Sequence, residues 1–331
     1  MKARESRGIE EAAEALDKQC SGFVKPQKES GLRENCEVFL VAIVVALGVR
    51  TYFLQPFTIP TGSMQPTLNG IRGTKTDEPP PNIVARIARF AWNGRTYVNV
   101  VATSDDVITD IREVKSLPFL NTKFGFMSRT EIVGRNSSYV VDCPMDTLTR
   151  DLIQPLRAFK AGDVIARGYY NTGDHVFVDK MSYHFRKPKA GEVFVFNTHK
   201  IQTNENKGKP DNWPSQFYIK RLVGTPGDTL QVKPPELFRN GKRAEGIGFE
   251  RVMAAQGEYR GYCNGFQFAS FQYLLKPEDV YSVPAQHYFA MGDNSFHSSD
   301  SRDWGPVPEQ NIMGRGVFVY WPFTPHFGLI Q

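Results

Sequence analysis

"GDHVFVDKMSYHFRKPKAGEVFVF", residues 173–196, sets two short runs of Val and Phe behind a Gly-Asp and a Gly-Glu and joins them by a basic loop. Short β-branched and aromatic runs bounded by turn residues are the pattern of strands. The same device recurs along the chain, as "AGDVIA" from 161, "TGDHVFV" from 172, "AGEVFVF" from 190 and "PGDTLQV" from 226. Asn-Gly pairs in "WNGR" at 92 and "RNGK" at 239 add hairpin signals. Helical periodicity competes only near residues 82–91, and the turns are too unevenly spaced for a solenoid. The expected fold is mainly β, built of coiled antiparallel sheets.

With 331 residues, 40% of them hydrophobic, and 22 Pro and 28 Gly, the chain is long enough for two domains or one elaborated domain. Forty Lys and Arg against 35 Asp and Glu give a net charge of +5, without the clustered basic stripes of a nucleic-acid binder. Cysteines at 20, 36, 143 and 263 form no CxxC, so zinc and thioredoxin chemistry are excluded. Cys143 and Cys263 would pair only in an oxidising compartment; the simpler expectation is two buried thiols.

"VFLVAIVVALGVRTYFL", residues 38–54, is the strongly apolar stretch. Its uninterrupted part, Val38–Val49, has the length of a buried core helix, and extension to Leu54 reaches the lower limit of a membrane span. Arg50 near one end can snorkel, and Tyr52, Phe53 and Phe57 can anchor at the interface. The expectation is one transmembrane helix over residues 37–56, since the run starts too late for a cleaved leader. Lys18, Lys25, Lys28 and Arg33 precede it, while residues 51–71 carry no Lys or Arg. The positive-inside rule then puts residues 1–36 in the cytoplasm and residues 57–331 outside. Within the cytoplasmic segment, residues 8–20 suggest a short amphipathic helix with Ile9, Ala12, Ala13 and Leu16 on one face.

Chemistry is sought among polar groups in apolar company. "IPTGSMQPTL", residues 59–68, brackets Ser63 between Pro60 and Pro66, which exclude regular helix, and Gly62 offers positive φ just before it. Read alone, this is the seat of a nucleophile or a plain loop. "QFYIKRLVGTPGD", residues 216–228, places Lys220 in mid-strand ahead of a turn with Pro226 and Gly227 at type II positions. A lysine there is costly unless neutral or paired. Working as a base near pH 7 requires a downward shift of ~3 units, which apolar burial can supply; an edge lysine paired with a carboxylate is the plainer alternative. "MGDNSFHSSDSRDWGPVP", residues 291–308, can build a hydrogen-bonded support or form a surface loop. No His/Asp/Ser set, HExxH spacing or Gly-rich phosphate loop is present, so no metal or cofactor is expected. Serine with lysine as its base is the arrangement best supported.

"IPTGSMQPTL", "AGEVFVF", "YIKRLVGTPGD" and "MGDNSFHSSDSRDWGPVP", in this order after an apolar segment, resemble the boxes of bacterial type I signal peptidases. The likeness covers about a third of the chain. It implies a membrane-bound Ser/Lys endopeptidase that removes signal peptides from exported preproteins, acting as a monomer on the bilayer without nucleic acid. By resemblance, Ser63 is the nucleophile and Lys220 the general base. Thr61 stands where the family has a serine whose hydroxyl joins the Ser63 amide in the oxyanion hole. Ser298 would orient the lysine, and Asp293, Asp300, Arg302 and Arg221 would form supporting ion pairs. Phe57, Ile59, Met64, Leu68, Tyr218 and Ile219 would line shallow substrate pockets. Two departures stand out. Ser295 replaces the arginine usual after Gly-Asp-Asn, and residues 69–172 form a long insertion, expected to be folded and β-rich apart from a flexible "TKTDEPPPN" at 74–82. Residues 234–284 fall in the family's variable second lobe. The rivals are a Ser/Lys peptidase with one dedicated substrate, a self-cleaving repressor with the same dyad, which would carry a DNA-binding domain instead of the apolar segment, and a silent membrane-anchored peptide-binding β protein.

Overall fold

The computed structural model describes residues 12–16, 18, 19, 31–114, 129–154, 158–203, 207–210, 214–265 and 271–331. The chain divides into two compact units, residues 1–49 and 50–331.

In the first unit, residues 12–16, 18 and 19 are helical, whereas Ile9 and the rest of the expected amphipathic helix lie outside the described residues. A second helix, Gly31–Tyr52, buries none of its 22 residues. Glu37 and Arg50 bracket its apolar run, Val38–Val49, which at 1.5 Å per residue spans only ~18 Å against ~30 Å of hydrocarbon. Among the described residues, no helix is long and apolar enough to cross a membrane. The segment expected over 37–56 also ends early, because Leu54–Thr58 is already a strand.

The second unit is mainly β. All four runs introduced by Gly-Asp or Gly-Glu form strands: Val164–Asn171, His175–Asp179, Val193–Asn197 and Thr229–Lys233. The principal sheet is antiparallel, in the order Leu54–Thr58, His175–Asp179, Ile312–Trp321, Val193–Asn197, Phe217–Gly224, His287–Met291, Val307–Pro308. The two Val/Phe runs of residues 173–196 therefore do not pair with each other. Ile312–Trp321 enters between them, with Arg315 opposite both Asp179 and Phe194. Alternate residues of these strands, with Ile59, Met64 and Leu68, bury one core that includes Val176, Val178, Val193, Val195 and Val319.

Residues 69–172 are largely folded on themselves. A three-stranded sheet (Arg72–Lys75, Val164–Asn171, Arg95–Val101) and a four-stranded one (Ser138–Val141, Arg129–Gly134, Asp106–Val114, Ala158–Phe159) enclose Val98, Val100, Ile132, Leu148, Leu152 and Tyr170. Of "TKTDEPPPN", Thr74 and Lys75 lie in a strand and the rest has no regular structure. A further small sheet, Lys242–Arg243, Glu236–Arg239, Thr229–Lys233 and Tyr281–Ser282, packs with the helix Ile247–Met253.

The two Asn-Gly pairs part company. At 240–241 both residues take positive φ and close the expected hairpin between Glu236–Arg239 and Lys242–Arg243. At 93–94 the expected hairpin is absent. Ile83–Asn93 is a helix, capped by the Asn82 side chain, which accepts from the Ala85 amide at 2.9 Å, and Gly94 ends it in the left-handed conformation at φ 63°.

Candidate active site

The Ser63 loop is held from below and from both sides. Met64 and Leu68 are completely buried in the core and pull the loop onto the sheet. Ile59 N–H donates to Asp174 O, and Ile71 N–H to Pro60 O, fixing where the loop leaves and returns. Gly62–Met64 makes one tight right-handed turn, so Gly62 does not use the positive φ its sequence offers. A Cβ at Gly62 would meet only the far end of the Gln65 side chain, at 2.9 Å, which can move aside.

Lys220 lies in the strand Phe217–Gly224, opposite Phe194. It is 5% exposed, and its Nζ donates to Ser63 Oγ at 2.6 Å. Thr61 Oγ1 lies 3.4 Å from the same oxygen. The structure thus brings together three residues from sites 157 positions apart in sequence. A buried amine in contact with a hydroxyl can exchange a proton with it, and a threonine hydroxyl alongside can donate to charge developing nearby.

Beneath this group lie two buried ion pairs. Arg221 donates to Asp293 through Nε at 2.8 Å and Nη2 at 2.6 Å, and both side chains are wholly buried. Burial works against the Arg221 charge, but the adjacent Asp293 carboxylate overrides it and holds the guanidinium above its ordinary range. Arg221 also donates to Gly191 O at 2.6 Å, and Thr67 of the Ser63 loop donates to Asp293. Arg302 grips Asp300 at 2.7 and 2.9 Å, and it too is held above its ordinary range against burial. The Asp300 carboxylate in turn accepts from the Gly292 and Arg302 amides.

Ser295, which stands in place of an arginine, is buried and built into this second pair. Arg302 donates to Ser295 Oγ at 2.7 Å and to Ser295 O at 2.8 Å, and the Cys263 amide donates to Ser295 Oγ. Cys263 is a free buried thiol, as is Cys143, whose pKa burial pushes up to about 12.

Ser298 departs from expectation. It is buried beside Gly292, where a Cβ would meet both its side chain and the Ser63 carbonyl, but its hydroxyl has no hydrogen-bond partner. Among the expected pocket residues, Met64 and Leu68 present no surface and support the loop from within, while Phe57, Tyr218 and Ile219 are half-buried. Phe57 meets Phe217 edge-to-face at 5.6 Å, joining the Leu54–Thr58 strand to the lysine strand. Asn294, which carries no role in the sequence reading, donates from its amide to Ser63 O at 3.0 Å and from its side chain to Gly62 O at 3.2 Å. Its place directly after Gly-Asp was the available signal. No cluster of three or more metal-ligating side chains occurs among the described residues.

Residues 167–321 match the family model described as Signal peptidase, peptidase S26. That stretch includes Lys220, Arg221, Asp293 and Asp300 but not Ser63, and it holds three of the four sequence boxes. The relatives it resembles include type I signal peptidases. Signal peptidase I of Leptolyngbya laminosa is 33% identical over 149 residues, covering 45% of this chain and 61% of that protein. Thylakoidal processing peptidase 1, chloroplastic, of Arabidopsis thaliana is 33% identical over 151 residues, 45% of this chain and 37% of that one. A signal peptidase I structure from Enterococcus faecalis V583 covers 39% of this chain and 97% of its own at 22% identity, with a TM-score of 0.28. The aligned segment spans less than two thirds of the length of these first two relatives.

Proposed function

We propose that this chain is a membrane-attached serine endopeptidase that cleaves signal peptides from exported preproteins. The carrying observation is the 2.6 Å contact between Lys220 Nζ and Ser63 Oγ in a buried setting. In this reading Lys220 acts as a neutral amine. It takes the Ser63 proton as Oγ attacks the scissile carbonyl and returns it to the departing amine. Water then releases the acyl group by the same proton path in reverse order of roles. The Ser63 amide and the Thr61 hydroxyl stabilise the oxyanion. Arg221–Asp293, Arg302–Asp300 and Asn294 position the loop, and the half-buried Phe57, Tyr218 and Ile219 admit small side chains.

Attachment is assigned to the helix Gly31–Tyr52, whose Val38, Phe39, Leu40 and Val41 are exposed. Its short apolar run is accommodated by bilayer thinning and by snorkelling of Arg50. In this reading the N-terminus is cytoplasmic and the catalytic unit faces outward from the inner membrane, an orientation supported by the basic residues before the helix. Wild type and Ser63→Ala, each incubated in detergent with a model preprotein, test the function. Wild type yields the mature N-terminus and the variant none; equal cleavage by both would reject Ser63 as the nucleophile.

A further inference from the structure

The Ser63 loop, residues 59–69, closes on one residue, Asp174, which stands just before the strand His175–Asp179. Asp174 O accepts from the Ile59 amide at 2.9 Å, and the Asp174 amide donates to Asn69 O at 2.8 Å. The side chain returns to the same place, where its Oδ2 accepts from the Asn69 amide at 2.7 Å. Both feet of the loop are thus held by a single residue that is 0% exposed. The fit is close, since a Cβ on the preceding Gly173 would meet Ile59 O at 1.7 Å. The insertion leaves the loop at Asn69 and comes back at Thr172. The Asp174 bonds therefore close the foot of the loop across the whole insertion.

A buried carboxylate is costly unless donors hold it. Asp174 Oδ1 has no hydrogen-bond partner, so that task falls on the donors to Oδ2. One is the Asn69 amide, and the other is His326 Nδ1 at 2.9 Å. A carboxylate only accepts, so Nδ1 carries the proton in this contact. The segment that presents His326 is itself anchored. The His326 amide donates to Thr324 Oγ1 at 3.3 Å, and the buried Ile330 donates its amide to Val317 O at 3.0 Å. His326 lies outside the four sequence boxes and beyond the stretch 167–321 that matches the family model.

We propose that Asp174 and His326 form a clamp that positions Ser63. His326 fixes the Asp174 carboxylate, the carboxylate fixes Asn69, and the closed foot sets how Ser63 Oγ meets Lys220. The effect on catalysis rests on the peptidase reading above; the clamp itself does not. Both are positioning residues, acting on the reacting atoms only through the loop. A loop displaced by ~1 Å costs about 10²-fold in rate while the substrate binds as before, so the clamp is felt in kcat. Contacts that served stability alone would lower the unfolding midpoint and leave kcat unchanged.

The test compares the full chain as wild type, His326→Ala, His326→Asn and Asp174→Ala in detergent. Three quantities are read: kcat and KM on a soluble peptide substrate, the unfolding midpoint, and hydrogen exchange at the Asn69 amide. The His326 side chain is 23% exposed, so His326→Ala should fold with a midpoint close to that of wild type. Its kcat should fall about ten-fold at unchanged KM, and Asn69 exchange should quicken. His326→Asn carries an Nδ2 donor in place of Nδ1 and should restore most of the lost rate. Asp174→Ala should lose about 10²-fold in kcat; if it does not fold, the two His326 variants decide. Unchanged kcat in His326→Ala, or a loss that His326→Asn does not relieve, would overturn the proposal. So would Asn69 exchange in His326→Ala equal to that of wild type. A wild type that cleaves nothing would instead reject the peptidase reading, and the exchange at Asn69 would still decide the clamp.

Discussion

The ion pairs beneath Ser63 and those of the insertion use the same residue types to opposite ends. Arg221–Asp293 and Arg302–Asp300 have 0% exposed side chains on both partners. Arg129–Asp142, on the insertion's four-stranded sheet, leaves 57% and 68% of its side chains in solvent. Burial removes each charge of the first set from water, so each partner becomes indispensable to the other and to the loops that share it. At Arg129–Asp142, water already satisfies both charges, and the pairing adds little. Rigid placement of one hydroxyl and one amine is thus bought with buried charge, whereas the insertion relies on its own apolar core.

Asp293→Ala is the severest way to break this contrast. It leaves Arg221 buried without its counter-charge and removes the acceptor of Thr67, so denaturant unfolding should show a loss of about 3–5 kcal/mol. A loss below ~1 kcal/mol would place the pair in the same class as the surface ones. Thr61→Val sharpens the role of the loop itself. The side chains are nearly isosteric, so the fold should hold while kcat falls, by no more than the ~10²–10³ that one oxyanion donor is worth, with KM little changed. An unchanged kcat would leave the hole to the Ser63 amide alone. Arg129→Ala should alter stability by less than ~1 kcal/mol in the same unfolding assay, and a larger loss would mean that the insertion also depends on its charges.

The mildest effect is a titration. Asp106 accepts from the Ser137 hydroxyl first and then from the Asn136, Val107 and Arg135 amides, which together outweigh desolvation and hold its pKa at about 2. A carboxyl depressed on folding contributes stability above its unfolded value of ~3.9 and loses it as pH falls through the folded one. Carboxyl NMR should therefore find Asp106 ionised at pH 3, and exchange of the Arg135 and Asn136 amides should quicken only as pH approaches 2. A midpoint near the ordinary value would remove the turn from the account.

Much of this architecture was legible from local signals. Gly-Asp and Gly-Glu opened strands at each of the four places, because a turn residue before β-branched and aromatic side chains leaves few alternatives. The Asn-Gly at 93 misled because the same dipeptide caps a helix when apolar periodicity precedes it. Insertion of Ile312–Trp321 between the two runs of residues 173–196 was invisible, since strand partners far apart in sequence leave no local trace. At the site, Ser63 and Lys220 stood out as polar groups in apolar surroundings, and their contact follows from the sheet. Asn294 went unseen because its work is done through backbone carbonyls, which a sequence does not display. Ser298 was assigned by resemblance, and its hydroxyl has no hydrogen-bond partner in the structure.

The central claim is that Ser63 and Lys220 act as one unit. It is tested most directly by kcat/KM on a model preprotein for Ser63→Ala, Lys220→Ala and the double variant, all in detergent. The account predicts that each single substitution abolishes cleavage as fully as the pair, with the folded unit intact, since nucleophile and base removed together cost no more than either alone. Additive losses, or a Lys220→Ala variant near wild-type turnover, would contradict it.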